Sequence, residues 1–252
     1  MQGNYTRIYA FRNSSDGNID PYRKLKIIVG IIIGLYILDV WLMGTEAMIG
    51  ALTEYLFRIP IILISLTVHE FAHAGMADFL GDSTARRLGR LSLNPMRHLE
   101  LFGTILLLFG NFGWAKPVPV DSSNFRKPER AMVSVSLAGP MANVLLGFLG
   151  GAITWIGANY DVTLLGKFGV ILVLINLSLA IFNLIPIPPL DGSKVLYFFL
   201  TPRGRFQYRA FEYMGPLLLI LLVSIGIVGM IISPLVVKCS QAIFSLYGLR
   251  FY

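Results

Sequence analysis

Apolar and polar positions alternate along this chain in long blocks. A polar, basic segment over residues 1–24 leads into an apolar run from Leu25 to Met43, and further runs follow at Ile59 to Phe79, Ala131 to Ile156, Leu164 to Ile185 and Phe211 to Ile232. Each is close to the length that a helix needs to cross about 30 Å of hydrocarbon at about 1.5 Å per residue. Residues 234–252 mix apolar residues with Lys238, Gln241 and Arg250, which fits either a short sixth span or an amphipathic helix at the interface. Leu101 to Trp114 is apolar but short and interrupted by Gly103, Gly110 and Gly113, so it reads as a re-entrant or strand-like segment. The pattern predicts an all-α polytopic membrane protein with five or six transmembrane helices, the short segment lying between the second and third.

Composition agrees. Of 252 residues, 55% are hydrophobic and 14% charged, and the mean hydropathy is +0.68, outside the balance of a soluble domain. The net charge of +7 sits in the connections. Arg7, Arg12, Arg23, Lys24 and Lys26 precede the first run; Arg86, Arg87, Arg90 and Arg97 follow the second; Lys116, Arg126, Lys127 and Arg130 precede the third; and Arg203, Arg205 and Arg209 follow the fourth. The alternate connections, with Glu46, Glu54, Asp161 and Lys167, are nearly neutral. Positive residues favour the inside, so the N-terminus is expected in the cytoplasm and the protein in the cell membrane, as one integral domain over 1–252. No nucleic-acid-binding motif accompanies the charge. The first apolar run lacks the short core and small-residue cleavage site of a signal peptide and reads as a retained helix. Cys239 stands alone and allows no internal disulfide.

Polar side chains inside the apolar runs carry the chemistry. His69 and His73 stand four apart with Glu70 between them, in Leu-Thr-Val-His-Glu-Phe-Ala-His-Ala-Gly. On a helix, both imidazoles share one face and can reach one Zn²⁺, while the glutamate polarises a bound water. At membrane depth such groups are costly without partners, and a metal satisfies them together. Asp191 follows three prolines, at 186, 188 and 189, which end the fourth helix; it fits either a third metal ligand or the N-cap of a short helix from Ser193 to Leu200. Asn143 is either packing glue or a donor aimed at the site. Lys116-Pro-Val-Pro-Val cannot be helical, and an extended segment at the membrane surface offers a substrate strand a place to pair. Asp39 reads as a side chain reaching the interface, and His98 as structural.

Together, His69-Glu70-Phe-Ala-His73, the Gly-Trp-Ala-Lys-Pro-Val-Pro-Val run from 113 to 120, Leu-Ala-Gly-Pro-Met-Ala-Asn from 137 to 143 and Asn183 to Gly192 resemble the site-2 protease family of intramembrane zinc metalloproteases, peptidase family M50. The resemblance covers about 59–200 and favours the compact prokaryotic type without PDZ or CBS domains. One departure stands at Glu100-Leu101, where members read Asp-Pro, and it touches only local loop geometry. The resemblance implies that His69, His73 and Asp191 hold one Zn²⁺ per chain, that Glu70 is general base and acid, and that Asn143 positions or stabilises the reacting peptide. A site at membrane depth is expected to meet transmembrane protein substrates, whose helices must partly unwind before attack, and Pro117, Val118, Pro119 and Val120 are expected to hold the unwound stretch, with Asn183 also at the substrate, in regulated intramembrane proteolysis. Two rivals remain on residues alone: a transporter or metal-binding protein using the same ligands without hydrolysis, and a zinc protease of the type that processes prenylated proteins, against which the Leu-Asp-Gly context of Asp191 argues.

Overall fold

The structure is a computed structural model that describes residues 45–100, 103 and 115–249, with isolated positions between 27 and 41. Contacts group the chain into two units, 1–54 and 55–252; the described positions of the first are helical. The second holds every side chain discussed below. The expected first span and the short segment at 101–114 lie outside the described residues.

Among the described residues the secondary structure is helical, and no strand occurs. Helix α1 (Thr45–Phe79) carries both histidines. After a single turn of helix, α2 (Thr84–Arg87), and the stretch 115–120, which is neither helix nor strand, α3 (Pro128–Asn159) and α4 (Thr163–Asn183) form an antiparallel pair. A short helix α5 (Asp191–Phe199), then α6 (Pro202–Ser224) and α7 (Ile227–Leu246), complete the described chain. Among the described residues four helices are long and apolar enough to cross a membrane: Tyr55–Phe79 of α1, α3, α4 and α7. Their outward faces expose Leu145, Leu149, Met230 and Ile231, which suits hydrocarbon rather than water as the surrounding solvent.

Small residues bring the helices together. At Gly150 of α3 a Cβ would stand 2.9 Å from the carbonyl oxygen of Gly169 on α4, so the backbones approach as no larger side chain would allow. Next to this contact, Val173 and Leu177 of α4 pack with Val236, Ile243 and Phe244 of α7 in one buried cluster. Pro128 opens α3 three residues before the expected start, since proline's missing N–H costs nothing in a first helical turn.

The expected fifth span over 211–232 is not one helix. The chain stops at Ser224 and restarts at Ile227, with Gly226 at φ +82°. That left-handed conformation suits glycine and ends a helix. The membrane-length helix is instead α7, 20 residues long, which takes up most of the tail that had two readings. The apolar part of α6, Phe211–Ser224, is shorter than a span.

Candidate active site

Two elements converge on one buried point. Helix α1 supplies His69 and His73 one turn apart, and α5 supplies Asp191 from its first residue. All three are buried. The proline-rich bend between α4 and α5 turns the chain back toward α1, and Asp191 makes no side-chain cap on its own helix. Its Oδ2 lies 3.3 Å from His69 Nε2 and 3.1 Å from His73 Nε2, while Lys194 Nζ stands 3.4 Å from its Oδ1. The capping alternative therefore has no hydrogen bond to support it.

The donor chemistry fits a divalent metal. His69 Nδ1 is 2.5 Å from Asn143 Oδ1, and His73 Nδ1 is 2.6 Å from the Val135 carbonyl oxygen. Both partners accept, so these contacts assign the proton to each Nδ1 and leave each Nε2 with a lone pair. The two Nε2 atoms are 3.0 Å apart. Two lone pairs and a carboxylate oxygen facing one another repel unless a cation lies among them. Tetrahedral coordination at about 2.0–2.1 Å sets ligands roughly 3.3 Å apart, close to the separations seen. This is the only cluster of metal-binding groups among the described residues.

Helix α3 closes one side. A Cβ at Gly139 would lie 2.4 Å from His73 Nε2 and 2.7 Å from His69 Nε2, so only glycine lets α3 pass here. Glu70 is also buried, and its Oε2 accepts the Val118 N–H at 2.9 Å. The extended segment is tethered at other points. Arg90 Nη2 donates to the carbonyls of Lys116 (2.7 Å) and Pro117 (3.2 Å), and Lys116 N–H donates to the His98 carbonyl (2.8 Å). At its end, the Asp121 N–H donates to buried Asp82, which also accepts from Thr84 N–H, Thr84 Oγ1 and Asn124 Nδ2. Burial alone would raise the Asp82 carboxyl, but these donors outweigh it and hold it below the usual carboxylate range.

Thus His69, Glu70, His73, Asn143, Asp191 and Val118 are brought together. Asn183 is not: its Nδ2 donates to the Leu179 carbonyl on its own helix at 2.9 Å. His98 is fully buried, with Nε2 on the Ser92 carbonyl at 2.7 Å, away from the metal-binding cluster. Two partners escaped the sequence reading. Asn176, wholly buried on α4, accepts from Asn143 Nδ2 at 2.7 Å, and its one signal was an amide amid apolar residues. Lys194 was legible only as a basic residue three positions after Asp191.

Known proteins place this geometry. A family model described as "Peptidase family M50" matches residues 149–225, a stretch that contains Asp191. A Bacillus subtilis protein named "Putative zinc metalloprotease YwhC" is 36% identical over 197 residues, spanning 75% of this chain and 90% of that protein. The chain belongs to peptidase family M50. It is a membrane metalloprotease of that family. Other relatives are matched over a smaller share of their length: "Putative zinc metalloprotease Rip2" of Mycolicibacterium smegmatis at 28% identity over 64% of this chain and 63% of that protein, and "Stage IV sporulation protein FB" of Bacillus subtilis at 28% over 64% and 46%. No solved structure matches the chain.

Proposed function

We propose that this M50 protein is an intramembrane protease of the site-2 type, with one zinc ion held by His69, His73 and Asp191, that hydrolyses peptide bonds in or near transmembrane segments of membrane proteins. The observation that carries the reading is the convergence of three lone-pair donors beside a buried glutamate, with both histidines and that glutamate on a helix of membrane length. The names of the relatives, two of them zinc metalloproteases, support the choice of metal. The protein sits in the cell membrane with its N-terminus in the cytoplasm, the orientation favoured by the basic connections.

When bound, zinc lowers the pKa of a water molecule toward neutrality and polarises a carbonyl. Glu70 takes the proton of the attacking water and later returns it to the departing amine. The Val118 N–H fixes one of its oxygens, and Oε1 has no partner among the described residues. A substrate helix hides its carbonyls in its own hydrogen bonds and has to unwind before attack. Pro117 to Val120 receives the unwound stretch by strand addition, at backbone groups not already spent on Arg90 and Glu70. Such cleavage of membrane-anchored regulators is regulated intramembrane proteolysis.

The test is Glu70→Gln protein in lipid vesicles with a reporter carrying one transmembrane segment. Zinc content should equal wild type, while cleavage should fall by at least about 100-fold, the scale of general acid–base catalysis. Undiminished cleavage would refute the assignment. Comparing membrane proteomes of cells expressing the two forms then identifies fragments that depend on Glu70.

A further inference from the structure

We infer that Asn176, in the middle of α4, is a positioning residue for the metal site and acts on His69 through Asn143. An asparagine amide has two nearly isosteric orientations, and hydrogen bonding chooses between them. Asn176 Nδ2 donates to the Leu172 carbonyl at 2.9 Å, an acceptor that cannot reverse its role. Its Oδ1 therefore faces Asn143 Nδ2, at 2.7 Å. The second Nδ2 hydrogen of Asn143 points to the Ser65 carbonyl, at 3.3 Å. Two fixed acceptors on one side leave Asn143 Oδ1 facing His69 Nδ1 at 2.5 Å. His69 is thus protonated at Nδ1, with a lone pair at Nε2 toward Asp191 and His73. The reversed amide would leave the proton on Nε2, where it blocks ligation. Asn143 and Asn176 are both wholly buried, so water cannot substitute for either amide. Both Asn143 hydrogens are spent, leaving no donor for the reacting peptide. Its role is to orient a ligand, and Asn176 extends that control to a third helix.

The inference rests on the metal reading above, and its test separates the two. Wild type, His73→Ala, Asn143→Ala, Asn176→Ala and the double variant are purified in detergent. Zinc affinity is measured by competition with a chromophoric chelator, and folding by circular dichroism and thermal melting. Each asparagine variant should bind zinc about 10- to 100-fold more weakly, the usual loss when a partner of a ligating histidine is removed. The double variant should lose no more than Asn143→Ala alone, because the two residues act in one line. Wild-type affinity in folded Asn176→Ala, or losses that multiply in the double variant, would overturn this inference alone. If Asn176→Ala does not fold, the fall in Asn143→Ala still decides whether that amide governs the ligand, and unchanged affinity there overturns the chain of contacts. Wild type that binds no more zinc than His73→Ala would overturn both this inference and the metal assignment.

Discussion

A single methyl group at Gly139 should disable the site. The Cβ of Gly139→Ala would stand 2.4 Å from His73 Nε2 and 2.7 Å from His69 Nε2. Ordinary contact begins at 3.4 Å, so α3 or the two rings have to separate by 1.0 and 0.7 Å, the differences between these distances. Metal–ligand distances tolerate only about 0.2 Å. Displacement on this scale is at least as damaging as loss of a partner to a ligating histidine, which costs 10- to 100-fold, so zinc affinity should fall by at least about 100-fold, roughly 3 kcal/mol. Chelator competition measures it, with cleavage of the transmembrane reporter as a second readout. Gly229→Ala on α7 is the control, because nothing lies within 4 Å of its added Cβ, and a helical alanine should be neutral or stabilising by up to about 1 kcal/mol. Wild-type zinc affinity in Gly139→Ala would refute the claim that α3 passes the ligands this closely.

Val118→Pro removes the only N–H that reaches Glu70 from the extended segment while keeping the backbone extended; turnover should drop about 10- to 100-fold, the worth of a hydrogen bond to a charged group, with zinc retained, and an unaltered rate constant would count against the contact. Asp191→Asn should release zinc, read by metal analysis after dialysis, and full retention would remove Asp191 from the ligand set. Asp82 predicts an acid limit. Its carboxyl is held low in the folded protein, so the stability it lends is present above the ordinary carboxylate range and is lost as pH falls through its depressed folded value. Asp82→Asn should lower stability at neutral pH by about 1–3 kcal/mol, through donors left unpaired, and flatten the decline of thermal stability below about pH 4. A parallel decline in both proteins would assign the acid sensitivity elsewhere.

Much of the site was legible because its signals are local. The pairing of His69 and His73 follows from helix period, whereas Asp191, set where prolines end a membrane helix, fitted a cap as well as a ligand until the family resemblance was added. The spans at Ile59, Ala131 and Leu164 appear within a few residues of their expected bounds, displaced where Pro128 or Thr163 opens the helix. What escaped depends on long-range pairing. An apolar run gives no sign that Gly226 adopts a positive φ, since glycines are also common inside unbroken membrane helices. Asn143, Asn176 and Asn183 look alike in sequence, yet one bonds a ligand, one bonds that asparagine and one bonds its own helix. Only packing of α1 against α3 and α4 distinguishes them. The grip of Val118 on Glu70 is likewise invisible, because a backbone N–H has no residue type.

His73 and Asp191 are 118 residues apart, which makes the order of synthesis a safeguard. A nascent chain that has inserted α1 already displays both imidazoles and the glutamate, but the carboxylate proposed as third ligand has not been made. At about 5–20 residues per second, the ribosome needs roughly 6–24 s to reach it. The residues of α3 and α4, which lie between α1 and α5 in the chain, are made during that interval. On the proposed ligand set, cutting power therefore arrives last, after α3 and α4 have been made, and a truncated product ending before α5 should be an inert membrane protein rather than an unguarded protease.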